Sequence, residues 1–329
     1  MSSAPARRGW LVAALVVGLG LVAAPAIFQM FDRAPKGGDM IEAFRPYMTQ
    51  EKITEFQDYM VEIDTAVAEM EADLEPALVE DAGLDAAEID ESYVSYADFK
   101  AQWDEIFTEM TDMLDTMEAN LGNFDAVSSL PPFLLFPWFF VIPGLLIAGI
   151  AGWGLVRSRR GESGRGVVIA LVVMGVGLIA APAVFQMFTR APKGGDMINE
   201  FRYLMNEEKV QAVQGYFLVI GAGEGTVRVQ MLPAFEEAGA TPPELPATDQ
   251  FIEDWPTISN EMAPMIGTMA DNVVNYQAVD DLPPFPLFPW FFVLPALLII
   301  GFAVAAGRPA ERDHEAVPAV PSGDRAEEV

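Results

Sequence analysis

Four stretches of this chain, residues 9–31, 133–156, 166–188 and 285–307, contain no Asp, Glu, Lys or Arg and are built mainly from Leu, Val, Ala, Ile, Gly and Phe. About 20 apolar residues of helix are needed to cross a hydrocarbon core about 30 Å thick, and only helices or closed barrels satisfy their own backbone hydrogen bonds there. Continuous apolar runs of this length predict four transmembrane helices and an all-α integral membrane protein. The remaining boundaries follow: an N-terminal flank at 1–8, long loops at 32–132 and 189–284, a short link at 157–165 and a polar tail at 308–329.

Charge assigns the sides. The 329-residue chain is 52% hydrophobic, yet its formal net charge is −29. A uniform globule does not combine those values, whereas a membrane protein segregates them. Arg7 and Arg8 flank the first span, and Arg157, Arg159, Arg160 and Arg165 outnumber Glu162 in the link. The positive-inside rule makes both segments cytoplasmic, which brings both termini to the cytoplasm and puts the long loops outside. Residues 32–130 carry 26 acids against 5 bases, and 189–282 carry 15 against 5, so the excess charge is expected outside. Ala24-Pro25-Ala26 resembles a signal-peptidase site, but Ala181-Pro182-Ala183 repeats it mid-chain, so the first span is read as retained.

The repetition is extensive. Gly9–Ile53 aligns on Gly166–Val210 without gaps at an offset of 157, with 28 identities. Arg33-Ala34-Pro35-Lys36-Gly37-Gly38-Asp39-Met40-Ile41 recurs unchanged at Arg190 to Ile198. At an offset of 152, Leu130-Pro131-Pro132-Phe133 and Leu135 to Val141 recur at Leu282 to Phe285 and Leu287 to Val293. The chain thus reads as two tandem parallel repeats, 9–157 and 166–308, inserted the same way up about a pseudo-twofold axis along the membrane normal.

Each long loop is expected to form an antiparallel helical hairpin. Ile53, Phe56, Met60, Ile63, Val67, Met70 and Leu74 are spaced alternately three and four apart, as are Phe99, Trp103, Ile106, Met110, Met113 and Met117. These are coiled-coil-like seams, read as packed core before any partner-binding methionine surface. The second loop keeps the return seam at Phe251, Trp255, Ile258, Met262, Met265 and Met269. Its outgoing arm holds Gly221, Gly223 and Gly225, each costing about 1 kcal/mol against Ala, and Pro242, Pro243 and Pro246 shape its tip. That hairpin is therefore expected to be shorter, bent or weaker.

Two motifs sit where chain and membrane part. Arg33, Lys36 and Asp39, with their counterparts Arg190, Lys193 and Asp196, form a duplicated collar that is the candidate lipid or ligand site. The Pro and Gly residues are expected to turn the chain, with Asp39 capping a helix that begins near Met40. The structural alternative is a plain joint. Trp138 and Trp290 read as interface anchors in an aromatic belt. Gly20 with Ala24, and Gly177 with Ala181, have the spacing that lets helix faces approach, within the chain or between copies of it.

Function classes narrow by exclusion. The chain has no cysteine and a single histidine, His314, in the tail, so disulfides, thiolate metal sites and two-histidine sites are excluded. No Walker, dinucleotide or zinc-protease motif occurs, and no acidic run has the EF-hand pattern; no cofactor and no metal are expected. The spans hold no ionisable residue, Gln29 and Gln186 being their most polar notable side chains, which disfavours a coupled transporter. The remaining reading is a non-catalytic scaffold or accessory or sensory subunit of a prokaryotic plasma membrane, whose acidic hairpins engage a protein partner. The alternative is a self-contained passive pore or lipid-handling protein. Membrane lipid and another protein are the expected partners, and nucleic acid is not.

Overall fold

A computed structural model describes residues 4–160, 162 and 164–307, and among them every regular element is helical. The tail at 308–329 with His314, and Ser163 in the link, lie outside the described residues. In chain order the α-helices are α1 (Ala4–Ile27), α2 (Met30–Phe44), α3 (Gln50–Glu69), α4 (Glu75–Glu80), α5 (Ile89–Ser92), α6 (Val94–Ala119) and α7 (Leu121–Ser128). They continue as α8 (Phe136–Arg159), α9 (Arg165–Val184), α10 (Met187–Phe201), α11 (Glu207–Thr226), α12 (Leu232–Ala238), α13 (Pro246–Asp280) and α14 (Trp290–Gly307). Four segments, Arg8–Ile27, Phe133–Arg159, Arg165–Val184 and Phe285–Ala306, are long and apolar enough to cross a membrane.

Two compact units share the chain: one holds the described residues up to Val22, Ile142–Ile179 and those from Val293 on, the other Ala23–Val141 and Ala180–Phe292. The first is a bundle of apolar helix segments in which glycine permits close approach. A Cβ on Gly18 of α1 would stand 2.8 Å from the Ala148 amide nitrogen and 2.9 Å from the Gly144 carbonyl, both on α8. A Cβ on Gly175 of α9 would stand 2.5 Å from Ile300 Cγ1 on α14. The approach expected at Gly20 and Gly177 is not made there, since a Cβ on either meets nothing within 4 Å. At 100° per residue a two-residue shift points to the far side of a helix, so the close approach within the chain uses the face of Gly18 and Gly175, opposite to that of Gly20 and Gly177. Trp10 stacks on Phe302, ring centroids 5.6 Å apart, and ties α1 to α14.

In the second unit α3, α6, α11 and α13 form a ring of packed helices, α3 on α6, α6 on α11, α11 on α13 and α13 on α3. The heptad-spaced residues fill it: Ile53, Phe56, Ile106, Met110, Phe251, Ile258 and Met265 have no exposed surface at all. Two lysine bridges fasten the sides that join the sequence copies, Lys52 to Glu261 and Lys209 to Glu109. Thr49 and Asn206 open α3 and α11 by accepting from the amides of Lys52 and Lys209, as N-caps do.

The outgoing arms correct one expectation. Gly221, Gly223 and Gly225 do not interrupt α11, which runs from Glu207 to Thr226 and continues through a π-turn at Val227–Met231 into α12. The other arm has the same π-turn, at Met70–Leu74, with no glycine nearby. What the two turns share is a proline one turn further on, Pro76 and Pro233, whose missing N–H and bulky ring the wider turn accommodates. Two of these glycines instead admit neighbours: a Cβ on Gly223 would fall 2.5 Å from the Phe99 ring, and one on Gly221 would fall 3.1 Å from Trp255, while Gly225 faces open space. The second outgoing arm is therefore neither shortened nor broken, and its return helix α13 is one continuous 35-residue helix.

Candidate functional site

Where α1 and α9 end, the backbone changes direction through a left-handed residue, Gln29 at φ 53° and Gln186 at φ 53°. Glutamine visits that region rarely, because its Cβ crowds the following carbonyl. The new helices α2 and α10 start at once and run straight through Pro35, Gly37 and Gly38 and through their counterparts. Asp39 and Asp196 therefore lie exposed inside helices and cap nothing, contrary to the sequence expectation. The turning is done by Gln29 and Gln186, and the glycines serve packing. A Cβ on Gly37 would stand 3.2 Å from Val279 and 3.3 Å from Phe133; one on Gly194 would stand 3.3 Å from Val127 and 3.1 Å from Phe285.

These contacts cross between the sequence copies. Helix α2 packs along α13, and α10 packs along α7. Arg33 donates to the Asp281 carbonyl at 2.7 Å, and Arg190 donates to the Ser129 carbonyl at 2.9 Å. Asp281 and Ser129 are the C-caps of α13 and α7. Each arginine thus satisfies an unpaired carbonyl and sets positive charge at the negative end of a helix dipole. Trp138 packs edge-on against Phe31, and Trp290 against Phe188, at centroid distances of 5.6 and 6.0 Å. Both tryptophans are about half exposed, at 46% and 48%.

The two collars differ in their acids. In the first, Arg33 also pairs with the Asp281 carboxylate at 3.2 Å, and Lys36 pairs with Asp32 at 3.0 Å. In the second, Ser129 stands where the first has Asp281, and Thr189 where it has Asp32. Lys193 is exposed, and among the described residues neither Arg190 nor Lys193 forms an ion pair.

Between the collars lies a feature that sequence reasoning missed. Three small cavities follow one another through shared lining residues. Met30, Ala34, Phe133 and Phe136 with Met187, Ala191, Phe285 and Phe288 line one of about 10 Å³. Phe133 and Phe285 also line the next, again about 10 Å³, together with Met40, Ile41, Met197 and Ile198. Those four close the third, about 40 Å³, with Phe44, Met48, Phe124, Phe201, Met205 and Tyr276. Every lining position has its counterpart from the other copy in the same cavity. The one chemical departure is Tyr276 opposite Phe124; its hydroxyl donates to the Ile198 carbonyl, and burial pushes its phenol up to about 12. The signal that could have exposed these cavities was the unchanged Met-Ile pair after each Gly-Gly, which a mere turn does not require.

One helical turn before Phe124 and Tyr276 the polar contacts are one-sided. Asn120 is fully buried and donates to the Thr116 carbonyl at 2.9 Å and to the Glu200 carboxylate at 2.6 Å. Its counterpart Asn272 donates to the Thr268 carbonyl alone among the described partners, because Ala43 stands where the other copy has Glu200. Between α3 and α13, burial and the nearby Asp254 carboxylate hold Glu62 above the ordinary carboxylate range, against a hydrogen bond from Gln250. Among the described residues no cluster of His, Cys, Asp or Glu could hold a metal ion. Compared with known proteins, the chain matches no family model and no curated relative.

Proposed function

We propose that the chain is a non-catalytic multi-pass scaffold or accessory or sensory subunit of a prokaryotic plasma membrane, whose acidic helical ring engages a protein partner outside. In this reading the two sequence copies are parallel repeats, both termini are cytoplasmic, and the ring and collars are extracytoplasmic. The observation that carries it is where chemistry is available. The ring's interior is mainly methionine, phenylalanine and isoleucine, and apart from buried Glu224 and part-buried Glu62 most of its acids stand on the outer faces. The apolar spans carry no group that could bind an ion or relay a proton. What the molecule offers another molecule is thus a broad, acidic, rigid surface, which favours electrostatic steering and selects a basic partner patch.

The test is to tag the tail after Arg312, crosslink lightly in intact native cells, purify in mild detergent and identify stoichiometric companions by mass spectrometry. A transporter, kinase or envelope enzyme recovered in fixed ratio supports the reading and names its pathway. Recovery of the chain alone, or with lipid only, overturns it. Orientation has its own check: a cysteine at Ser92 should react with an impermeant thiol reagent in intact cells, and one at Ser163 should not.

A second reading, lipid handling, draws on the cavity series. Its lining from Met30 to Met48 is apolar and rich in methionine, which adapts to irregular apolar guests. The same lining speaks against an aqueous pore, since nothing along it replaces an ion's hydration. Transfer of a fluorescent lipid between vesicles by the purified chain would move the weight to this reading.

A further inference from the structure

We infer that the second collar, and not the first, is a binding site for the phosphate of an anionic membrane lipid, held by Lys193 and the outward side of the Arg190 guanidinium. The inference rests on the reading of α1, α8, α9 and α14 as membrane spans and on nothing about a protein partner.

The two collars have one backbone and the same cations. Gln29 and Gln186 adopt the same left-handed conformation, and the helices that follow carry arginine and lysine three residues apart, on one face. In the first collar the site is already filled from within the protein. Lys36 holds the Asp32 carboxylate at 3.0 Å, and Arg33 holds the Asp281 carboxylate at 3.2 Å. Two carboxylates lie where an incoming phosphate would bring its own oxygens, and they would repel it.

In the second collar both acids are gone, replaced by Thr189 and Ser129. Arg190 still caps α7 through one nitrogen, at 2.9 Å from the Ser129 carbonyl, which fixes the guanidinium and leaves its other donors available. Lys193 is exposed one turn along. Asp196 on the same helix and Asp125 on α7 are the nearest acids along those elements, and neither forms an ion pair with Arg190 or Lys193 among the described residues. A planar guanidinium beside an ammonium is the donor pair that suits a phosphate monoanion, while the Thr189 hydroxyl already donates to the Gln186 carbonyl at 3.0 Å.

Position selects lipid over free phosphate. Arg190 lies six residues beyond Val184, the last residue of α9. Phe188, two residues before it, packs edge-on against Trp290, the half-exposed aromatic at the start of α14. Tryptophan of this kind sits at headgroup level, so the cations follow at the depth of the lipid phosphates. Each interfacial cation strengthens attraction to an anionic bilayer.

Exchanging the acids tests it. The full chain is placed in nanodiscs of phosphatidylcholine with a minor share of phosphatidylglycerol, and retained lipid is counted by native mass spectrometry. The unaltered protein should retain one phosphatidylglycerol in preference to phosphatidylcholine. Thr189→Asp, which copies the first collar's ion pair, should weaken that retention roughly five- to tenfold, and Lys193→Gln should do the same. Asp32→Thr together with Asp281→Ser, which frees both Lys36 and Arg33, should add a second retained lipid. If Thr189→Asp fails to fold, the gain expected of the paired Asp32→Thr and Asp281→Ser changes still decides the matter. Equal retention of both lipids, or unchanged counts in folded variants, overturns the proposal. So does equal occupancy by inorganic phosphate titrated into lipid-free detergent. The readout ignores companion proteins, so it can fail while the scaffold reading stands, and the reverse.

Discussion

The block from Gln29 to Ile41 and the block from Gln186 to Ile198 make the same turn, bury the same residues and close on the same kind of partner, whereas the polar groups around them have diverged. Shared features are those that seal apolar contacts: the left-handed glutamine, the glycine admitting a phenylalanine and a valine, and the arginine on a helix C-cap. Divergent ones are carboxylates and their substitutes, as in Asp32 against Thr189, Asp281 against Ser129 and Ala43 against Glu200. Interior packing tolerates little change of volume, so both copies keep it. A surface charge costs little to lose, so two equal frames could acquire different electrostatics.

Four sets of measurements sharpen that comparison. The largest effect is expected at Gly223, whose counterpart at the same π-turn distance is the buried Ala66. Gly223→Leu drives a side chain into Phe99 and should cost about 3 kcal/mol or more, read by denaturant titration in detergent; the open position Gly225→Ala should gain up to about 1 kcal/mol. Next comes Glu200→Ala, which gives the second copy the first one's residue. It removes a charged acceptor from fully buried Asn120 and should cost about 1–3 kcal/mol, while Ala43→Glu should bring no matching gain. A loss under a few tenths would mean that the two asparagines are equivalent after all. Third, double-mutant cycles on Lys52–Glu261 and Lys209–Glu109 should each give under about 1 kcal/mol, and similar values on the two sides would show that these bridges belong to the shared frame.

The smallest effect is at Glu62. Because its carboxyl is held above the ordinary range, the folded chain releases this proton at a higher pH than the unfolded chain does. Its favourable contribution is complete below the ordinary glutamate pKa of about 4.3 and is lost as pH rises through the raised value. Glu62→Gln should therefore stabilise the protein by a few tenths of a kcal/mol at neutral pH, with the gain vanishing below pH of about 4. A gain that grew on acidification would reverse the sign of this argument.

The spans and the seams of the helical ring were legible from residue order because each depends on a period that the chain displays directly: continuous apolarity in one case, alternate threes and fours in the other. The identity of the surfaces that meet was not. Periodicity says which face of α2 is buried and is silent on whether α3, α6 or α13 covers it. The glycines of α11 illustrate a second limit, since a helical glycine either weakens the helix or admits a neighbour, and only the position of Phe99 decides between them. The turn at Gln29 carried no signal at all, glutamine having no preference for the conformation it adopts there. The collar residues were found in sequence as a motif, but their inequality appears only once Asp281, far along the chain, is seen to reach Arg33.

That reach has a consequence for synthesis. Arg33 and Asp281 are separated by 248 positions. At about 5–20 residues per second, a ribosome needs roughly 12–50 s to deliver the second after the first. Throughout that interval the face of α2 that packs along α13 lacks its cover from Val279 and Tyr276, although Phe133 is already available to Gly37. The nascent first half therefore waits as a partly open joint until α13 is made. A neighbouring nascent chain offers a face of the same make before the correct one has been translated. Crowded translation of this message should accordingly yield interlocked pairs, and slowing initiation should favour the single chain closed on itself.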